Sequence, residues 1–226
     1  MSTVLIIGAS RGIGIETVKL ALKAGHSVRA MARSASAIRL RDPKLQKLDG
    51  DALDQDTIER ALTGANAVIQ TLGVSPTPEM IFGGTRLFSV ATRVLVNAME
   101  SSAVRRLICI TGFGAGDSRG RGGFLYNAAL CLILSRIYAD KDAQEWIIRR
   151  SQLDWTIVRP TILTDGRRTR VLVDARDWRS GFISRADVAD FLVKQINDAS
   201  LVHRTPMLVD SKGCGALNAR HKQNAQ

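Results

Sequence analysis

Thr3-Val4-Leu5-Ile6-Ile7 runs directly into Gly8-Ala9-Ser10-Arg11-Gly12-Ile13-Gly14, and these twelve residues decide the fold. The first five are each β-branched or apolar and read as a short buried strand. Ile13, Val18, Ala21 and Leu22 then recur at helical spacing until Gly25 stops the pattern. Between strand and helix the glycines are spaced G-x-x-x-G-x-G. Glycine there permits a tight turn, lets backbone approach a pyrophosphate, and lets the helix pack closely on the strand. The free N–H groups and positive dipole end of the helix would then face the anion. Gly8, Ser10, Arg11, Gly12, Ile13 and Gly14 are therefore the expected core of a dinucleotide site, the alternative being a purely structural turn.

Working outward, residues 27–31, 44–48, 67–72 and 106–110 read as strands, and residues 54–62 and 85–101 as helices. In the longer helix Leu87, Val90, Ala91, Val94 and Leu95 are expected to face inward. Such alternation predicts an α/β, Rossmann-like, doubly wound parallel sheet. Residues 112–123 carry six glycines with Arg119 and Arg121 and read as a mobile loop. Residues 125–150 read as a helix that is apolar nearly all round in its first half. Short strands at 156–158, 171–173 and 206–209 and a helix at 185–196 complete the pattern. One domain over 1–210 is expected, with a small C-terminal substrate cap built mainly from 112–135 and 160–210, and a flexible tail over 211–226.

The chain's 226 residues carry 32 Lys+Arg against 21 Asp+Glu, a net charge of +11, with a globular hydrophobic fraction of 45%. That composition excludes disordered and fibrous classes. The longest apolar run, 128–134, is far short of a membrane span. The run Val4 to Ile7 is too short for a secretory leader, so none is expected. Cys109, Cys131 and Cys214 are odd in number and widely spaced, which suggests neither a disulfide framework nor a metal site and points to a reducing, cytoplasmic setting. Arginine dominates the positive charge, 24 against 8 lysines, and its guanidinium suits phosphate and carboxylate. The Arg-rich span from Arg149 to Arg185 lacks a series of stacking aromatics, so a small anion is expected rather than nucleic acid.

The residues after the second strand choose the dinucleotide. A site for NAD usually places a carboxylate there for the ribose 2′-OH. Here Arg33 and Ser34 follow, which with Ser10 and Arg11 can surround a 2′-phosphate. NADP(H) is the expected cofactor; a solvated Arg33 at a strand end is the alternative.

Several motifs together resemble a known family. The glycine turn, Gly50-Asp51, Thr71-Leu72-Gly73, Asp140-Lys141-x-x-Gln144-Glu145, Asp154-Trp155-Thr156-Ile157-Val158-Arg159-Pro160 and Ile183-Ser184-Arg185-Ala186-Asp187-Val188-Ala189-Asp190 are similar to those of the atypical short-chain dehydrogenase/reductases. Within them the chain resembles the NmrA-like group with its biliverdin reductase B (flavin reductase)-like members, from Val4 to about Val209. The resemblance implies that Asp51, with Ala52, meets the adenine, that Thr71, Leu72 and Gly73 line the cofactor ribose, and that Pro160, Thr161 and Ile162 flank the nicotinamide. Helix capping by Asp51 and plain turn chemistry at Gly73 are the alternatives.

Conventional members of that superfamily use Ser, Tyr and Lys, the Tyr four residues before the Lys, so that Lys⁺ lowers the phenol's pKa. Thr111 matches the serine and Lys141 the lysine, but Ile137 stands at the tyrosine position. Tyr138 lies three residues before Lys141, rotated by about 100° from the expected direction. Thr111, Tyr138 and Lys141 are the candidate catalytic residues, with Thr111 and Lys141 also near the cofactor. For Lys141 the alternative is an i,i+4 pair with Glu145. None of His26, His203 and His221 is placed as an acid or base. Two functions follow: an NADPH-dependent reductase of a planar acceptor such as a flavin, quinone or tetrapyrrole, acting as monomer or homodimer, or a non-catalytic NADP(H) sensor of the NmrA type. Arg119 and Arg121 are candidates for an acidic arm of the acceptor.

Overall fold

The computed structural model describes residues 1–74, 77–112, 135–166, 168–169, 171–174 and 181–211. The glycine loop, Arg119, Arg121, the apolar first half of the 125–150 helix and the tail after residue 211 lie outside these residues.

The order of elements is β1 (Thr3–Ile7), α1 (Gly12–Lys23), β2 (Ser27–Ala32), a 3₁₀ turn (Ala35–Ala37), β3 (Leu45–Asp49), α2 (Gln55–Leu62), β4 (Ala67–Gln70), α3 (Pro78–Gly83), α4 (Leu87–Glu100) and β5 (Arg106–Ile110). It continues with α5 (Ser135–Arg149), β6 (Asp154–Pro160), β7 (Ile162–Thr164), β8 (Val171–Val173), β9 (Phe182–Ser184), α6 (Arg185–Lys194) and β10 (Met207–Asp210). The main sheet has eight strands in the order β3-β2-β1-β4-β5-β6-β10-β8. All pairs in it are parallel except β10 with β8. The expected doubly wound sheet is present. Its strand order reverses between β1 and β4, where open α/β sheets form a crevice at the strand C-termini.

Burial follows position in the sheet. In the central strand β1, Val4, Leu5, Ile6 and Ile7 are all buried, whereas β3 at the edge has no buried residue. Alternate residues of β1 enter different cores. Val4 and Ile6 join Val18 and Ala21 of α1 and Val188 and Leu192 of α6, while Leu5 and Ile7 join Ile58, Leu95, Met99 and Ile148 on the other face. Helices thus cover both faces of the sheet.

The structure departs from the sequence reading in several places. Ala91 and Leu95 of α4 are buried as expected, but Val90 is 39% exposed, and Phe88, Thr92, Val96 and Met99 complete the buried face. β4 stops at Gln70, β6 runs from Asp154 to Pro160, and α6 ends at Lys194. Unforeseen elements are α3 and the pair β7-β9, a parallel two-stranded sheet beside the main one. The C-terminal strands β7, β8 and β9 with α6 form a cap beyond the doubly wound core. Among the described residues no helix is long and apolar enough to cross a membrane.

Candidate functional site

The glycine turn has the geometry that its spacing suggests. Gly8 has φ +87°, and a Cβ there would lie 2.9 Å from the Thr71 carbonyl oxygen. A Cβ on Gly14 would lie 2.1 Å from the Gly8 carbonyl oxygen. Backbone occupies that space, so larger residues are excluded from both positions. The turn is tied back by the N–H groups of Gly8 and Ala9, which donate to the Met31 carbonyl at 2.9 and 3.1 Å. Thr71 Oγ1 donates to the Ile7 carbonyl at 2.8 Å, fixing the β4 end against β1.

The N-terminus of α1 is left electrically open. Its cap position, Arg11, makes no side-chain capping bond, and the first turn contains no acidic residue. By contrast, α2 is capped by Asp54 and α6 by Ser184. Unpaired N–H groups and an unopposed dipole favour an anion at α1.

A cavity of about 1580 Å³ extends from this turn. Gly8, Ser10, Arg11, Gly12, Ile13, Arg33, Ser34, Asp51, Ala52, Thr71, Leu72, Gly73, Thr111, Tyr138, Lys141, Pro160, Thr161 and Ile162 all line it. Gly14 alone of the candidates does not; it packs behind the turn. A Cβ on Gly73 would meet nothing within 4 Å among the described residues. After β2 no carboxylate faces the site. Asp49, at the end of β3, accepts from the Ser36 N–H at 2.9 Å, which holds its carboxyl below the ordinary range. Asp51 Oδ1 accepts from the Leu53 N–H at 3.0 Å, and helix capping falls to Asp54.

The motif Asp140-Lys141-x-x-Gln144-Glu145 occupies one side of α5, and its members tie that helix to α4, β4, β5 and β6. Asp140 accepts from the N–H groups of Phe88 and Ser89 at 2.8 and 3.1 Å, capping α4 from outside. Gln144 Nε2 contacts Gln70, Thr92 and Cys109 at 3.1–3.3 Å. Burial there pushes the Cys109 thiol up to about 12. Glu145 takes Arg159 through both oxygens, at 2.9 and 2.5 Å, and also accepts from Thr111 Oγ1 at 2.8 Å. All three of Thr111, Glu145 and Arg159 are buried.

This arrangement engages the Thr111 hydroxyl and removes the alternative reading of Lys141 as a helical partner of Glu145. The Thr111 hydroxyl is engaged by Glu145 rather than turned to an acceptor. Lys141 Nζ donates to the Thr111 carbonyl at 2.6 Å and lies 4.2 Å from the centre of the Phe88 ring, and Glu145 pairs with Arg159 instead. Burial lowers the Lys141 ammonium to about 8. Tyr138 also lines the cavity despite its offset: a Cβ on Gly112 would lie 3.5 Å from its hydroxyl oxygen. Phe88, Glu145, Arg159, Asp165 and Arg185 were not singled out as site residues. The one available signal was charge inside apolar strand residues, at Arg159, and spacing could not name its partner.

Fold and cavity together define a Rossmann-type dinucleotide-binding protein. A family model described as NAD(P)H-binding matches residues 8–199, and the chain belongs to that NAD(P)H-binding family. It is 28% identical over 211 residues to the uncharacterized sugar epimerase YhfK of Bacillus subtilis, covering 89% of this chain and 91% of that protein. It is 30% identical over 176 residues to the chloroplastic protein TIC 62 of Arabidopsis thaliana, covering 70% of this chain but only 26% of that protein. Among solved structures, ChuY of Escherichia coli O157:H7, described as an anaerobillin reductase, superposes with a TM-score of 0.76 at 26% identity, over 93% of this chain and 98% of that one.

Proposed function

We propose that this protein is an NADPH-dependent reductase that passes hydride to a planar acceptor of flavin, quinone or tetrapyrrole type. The observation that carries the reading is the single cavity joining an anion-receptive turn to a wall of Phe88, Ile137, Tyr138, Lys141 and Pro160. One end suits phosphate and the other suits a flat ring. Family membership supports a nicotinamide cofactor, and the likeness to a protein described as a reductase supports the reaction class.

Bound NADPH supplies the hydride. The residues fit it. The open N-terminus of α1 takes the diphosphate, Arg11, Arg33, Ser10 and Ser34 take the 2′-phosphate, and Asp51 with Ala52 meets the adenine. Thr71, Leu72 and the space beside Gly73 receive ribose. Pro160, Thr161 and Ile162 flank the nicotinamide, and Thr161 Oγ1 is buried there without a hydrogen-bond partner among the described residues. Lys141 stands at the nicotinamide ribose, with its ammonium held by the Thr111 carbonyl. Reduction also needs one proton at the acceptor. Tyr138 or water supplies it, because the Thr111 hydroxyl already donates to Glu145; for conjugated acceptors, positioning then provides most of the rate. The reading includes a cytoplasmic protein working as monomer or homodimer.

The same engagement of Thr111, with the offset of Tyr138, favours a second reading as an NADP(H) sensor without catalysis. Following NADPH absorbance with FMN, biliverdin and several quinones in turn separates the two. Oxidation of NADPH with any of them is expected. Tight NADPH binding without turnover on any would overturn the reductase reading and leave the sensor.

A further inference from the structure

Arg185 opens α6, whose cap is Ser184, and its side chain lines the cavity. Its neighbours fix its backbone. Ser184 Oγ accepts from the Asp187 N–H at 3.0 Å and donates to Asp187 Oδ2 at 2.7 Å, and Asp187 in turn accepts from the Thr169 N–H at 2.9 Å. From that anchored base the side chain passes over the glycine turn. A Cβ on Gly12, the first residue of α1, would lie 3.8 Å from Arg185 Nε. The guanidinium ends on Asp165, with Nη1 to Oδ1 at 2.7 Å. Both residues line the same cavity as Gly12.

The two partners are unequal. The Arg185 side chain is 30% exposed, whereas that of Asp165 is 89% exposed. An ion pair with so exposed a carboxylate is screened and contributes little. A diphosphate seated at the α1 N-terminus carries more charge, already meets the helix dipole, and accepts a fork of N–H donors. Gly12 lies directly under this path: a Cβ there would be in van der Waals contact with the arginine.

We propose that Arg185 is a cofactor-binding residue. Its guanidinium leaves Asp165 for the diphosphate of the dinucleotide, so that the two anions compete for one cation. The exchange releases Asp165 and with it the end of the segment that carries Ile162 and Leu163 along the cavity wall. Cofactor arrival is thereby coupled to the cap. The inference rests on the dinucleotide reading and adds to it a binding residue and a competing internal anion.

The test is a fluorescence titration of NADPH against wild type, Arg185→Ala, Arg185→Lys, Asp165→Asn and the double variant Asp165→Asn/Arg185→Ala, with thermal unfolding of each without NADPH. Loss of a charge-assisted contact to phosphate is expected to raise Kd about tenfold or more in Arg185→Ala. Arg185→Lys, which keeps charge but loses the fork, should fall between it and wild type. Asp165→Asn removes the competitor and should tighten binding severalfold, an effect absent in the double variant. Wild-type affinity in Arg185→Ala, or equal weakening by Asp165→Asn and Arg185→Ala, would overturn the proposal and leave the pair as a strap between cap and α6. If wild type bound no NADPH at all, the cofactor reading itself would fall.

Discussion

Thr111 Oγ1 donates to Glu145 Oε1 at 2.8 Å, inside the protein and just beneath the cavity floor. Glu145 thereby joins a buried ion pair with Arg159 to the end of β5, where the reactive serine of conventional relatives would stand. Breaking a buried pair leaves a bare charge. Arg159→Leu is expected to cost about 3–5 kcal/mol in urea unfolding, whereas Thr111→Val, which loses one hydrogen bond, should cost about 1 kcal/mol. If Thr111→Val instead abolished turnover with its stability intact, the hydroxyl would be serving the acceptor and not Glu145.

Arg33 and Ser34 decide between the two dinucleotides in the proposed reading. Arg33→Ala should raise the KM for NADPH about tenfold or more while leaving that for NADH within about twofold, because only the former has a 2′-phosphate to lose. Steady-state kinetics with both cofactors measures this. Calorimetry showing NADPH affinity unchanged in the variant would refute the assignment.

Lys141 is lowered from the ordinary lysine value of 10.5 to about 8 by burial. Below about pH 8 the ammonium is charged in both folded and unfolded chains, and its desolvation penalty is present in full. Between about 8 and 10.5 the unfolded chain binds more protons than the folded one, so stability rises with pH through this group. Lys141→Met is therefore expected to be more stable than wild type near pH 7, with the gap closing by pH 10. Parallel unfolding curves at the two pH values check the sign. A gap that widened would mean that the charged form is favoured in the fold.

Gly14 and Gly73 should respond oppositely to alanine. At Gly14 the new methyl would lie 2.1 Å from a backbone oxygen, so Gly14→Ala should destabilise by at least about 1–3 kcal/mol and lower the yield of folded protein. At Gly73 the methyl meets nothing within 4 Å among the described residues. Gly73→Ala should leave the melting temperature unchanged yet weaken NADPH binding, because the methyl enters the space assigned to ribose. Unchanged affinity would show that the cofactor does not pass Gly73.

Tyr138→Phe tests the proton. Loss of a true general acid costs about 10²–10⁴ in rate. With conjugated acceptors a fall of less than about tenfold in kcat is expected, with water taking over. A larger fall together with a shifted pH profile would make Tyr138 the donor.

Much of the molecule was legible in the chain because its signals are local. A strand of Val4 to Ile7 followed by Gly8, Gly12 and Gly14 can adopt few arrangements, and every candidate cofactor residue except Gly14 lines one cavity. The polar members of the α5 motif were legible as a pattern but not as a set of bonds. Asp140 is 52 residues from the Phe88 N–H that it caps, and Glu145 is 14 from Arg159. Such partners are chosen by packing of elements, which periodicity does not encode.

The sequence by itself therefore determined the doubly wound sheet, the glycine turn and the absence of a carboxylate after β2, since each depends on backbone freedom and residue type within a few positions. Only the tertiary structure decided that the Thr111 hydroxyl belongs to Glu145, that Lys141 rests on Phe88 rather than pairing along its helix, and that Arg185 reaches over Gly12. Those outcomes depend on which side chains the closing sheet and helices bring together, and for Glu145 that partner is the buried Arg159. Burial makes an unpaired charge costly enough to override the pairing that spacing along the chain would suggest.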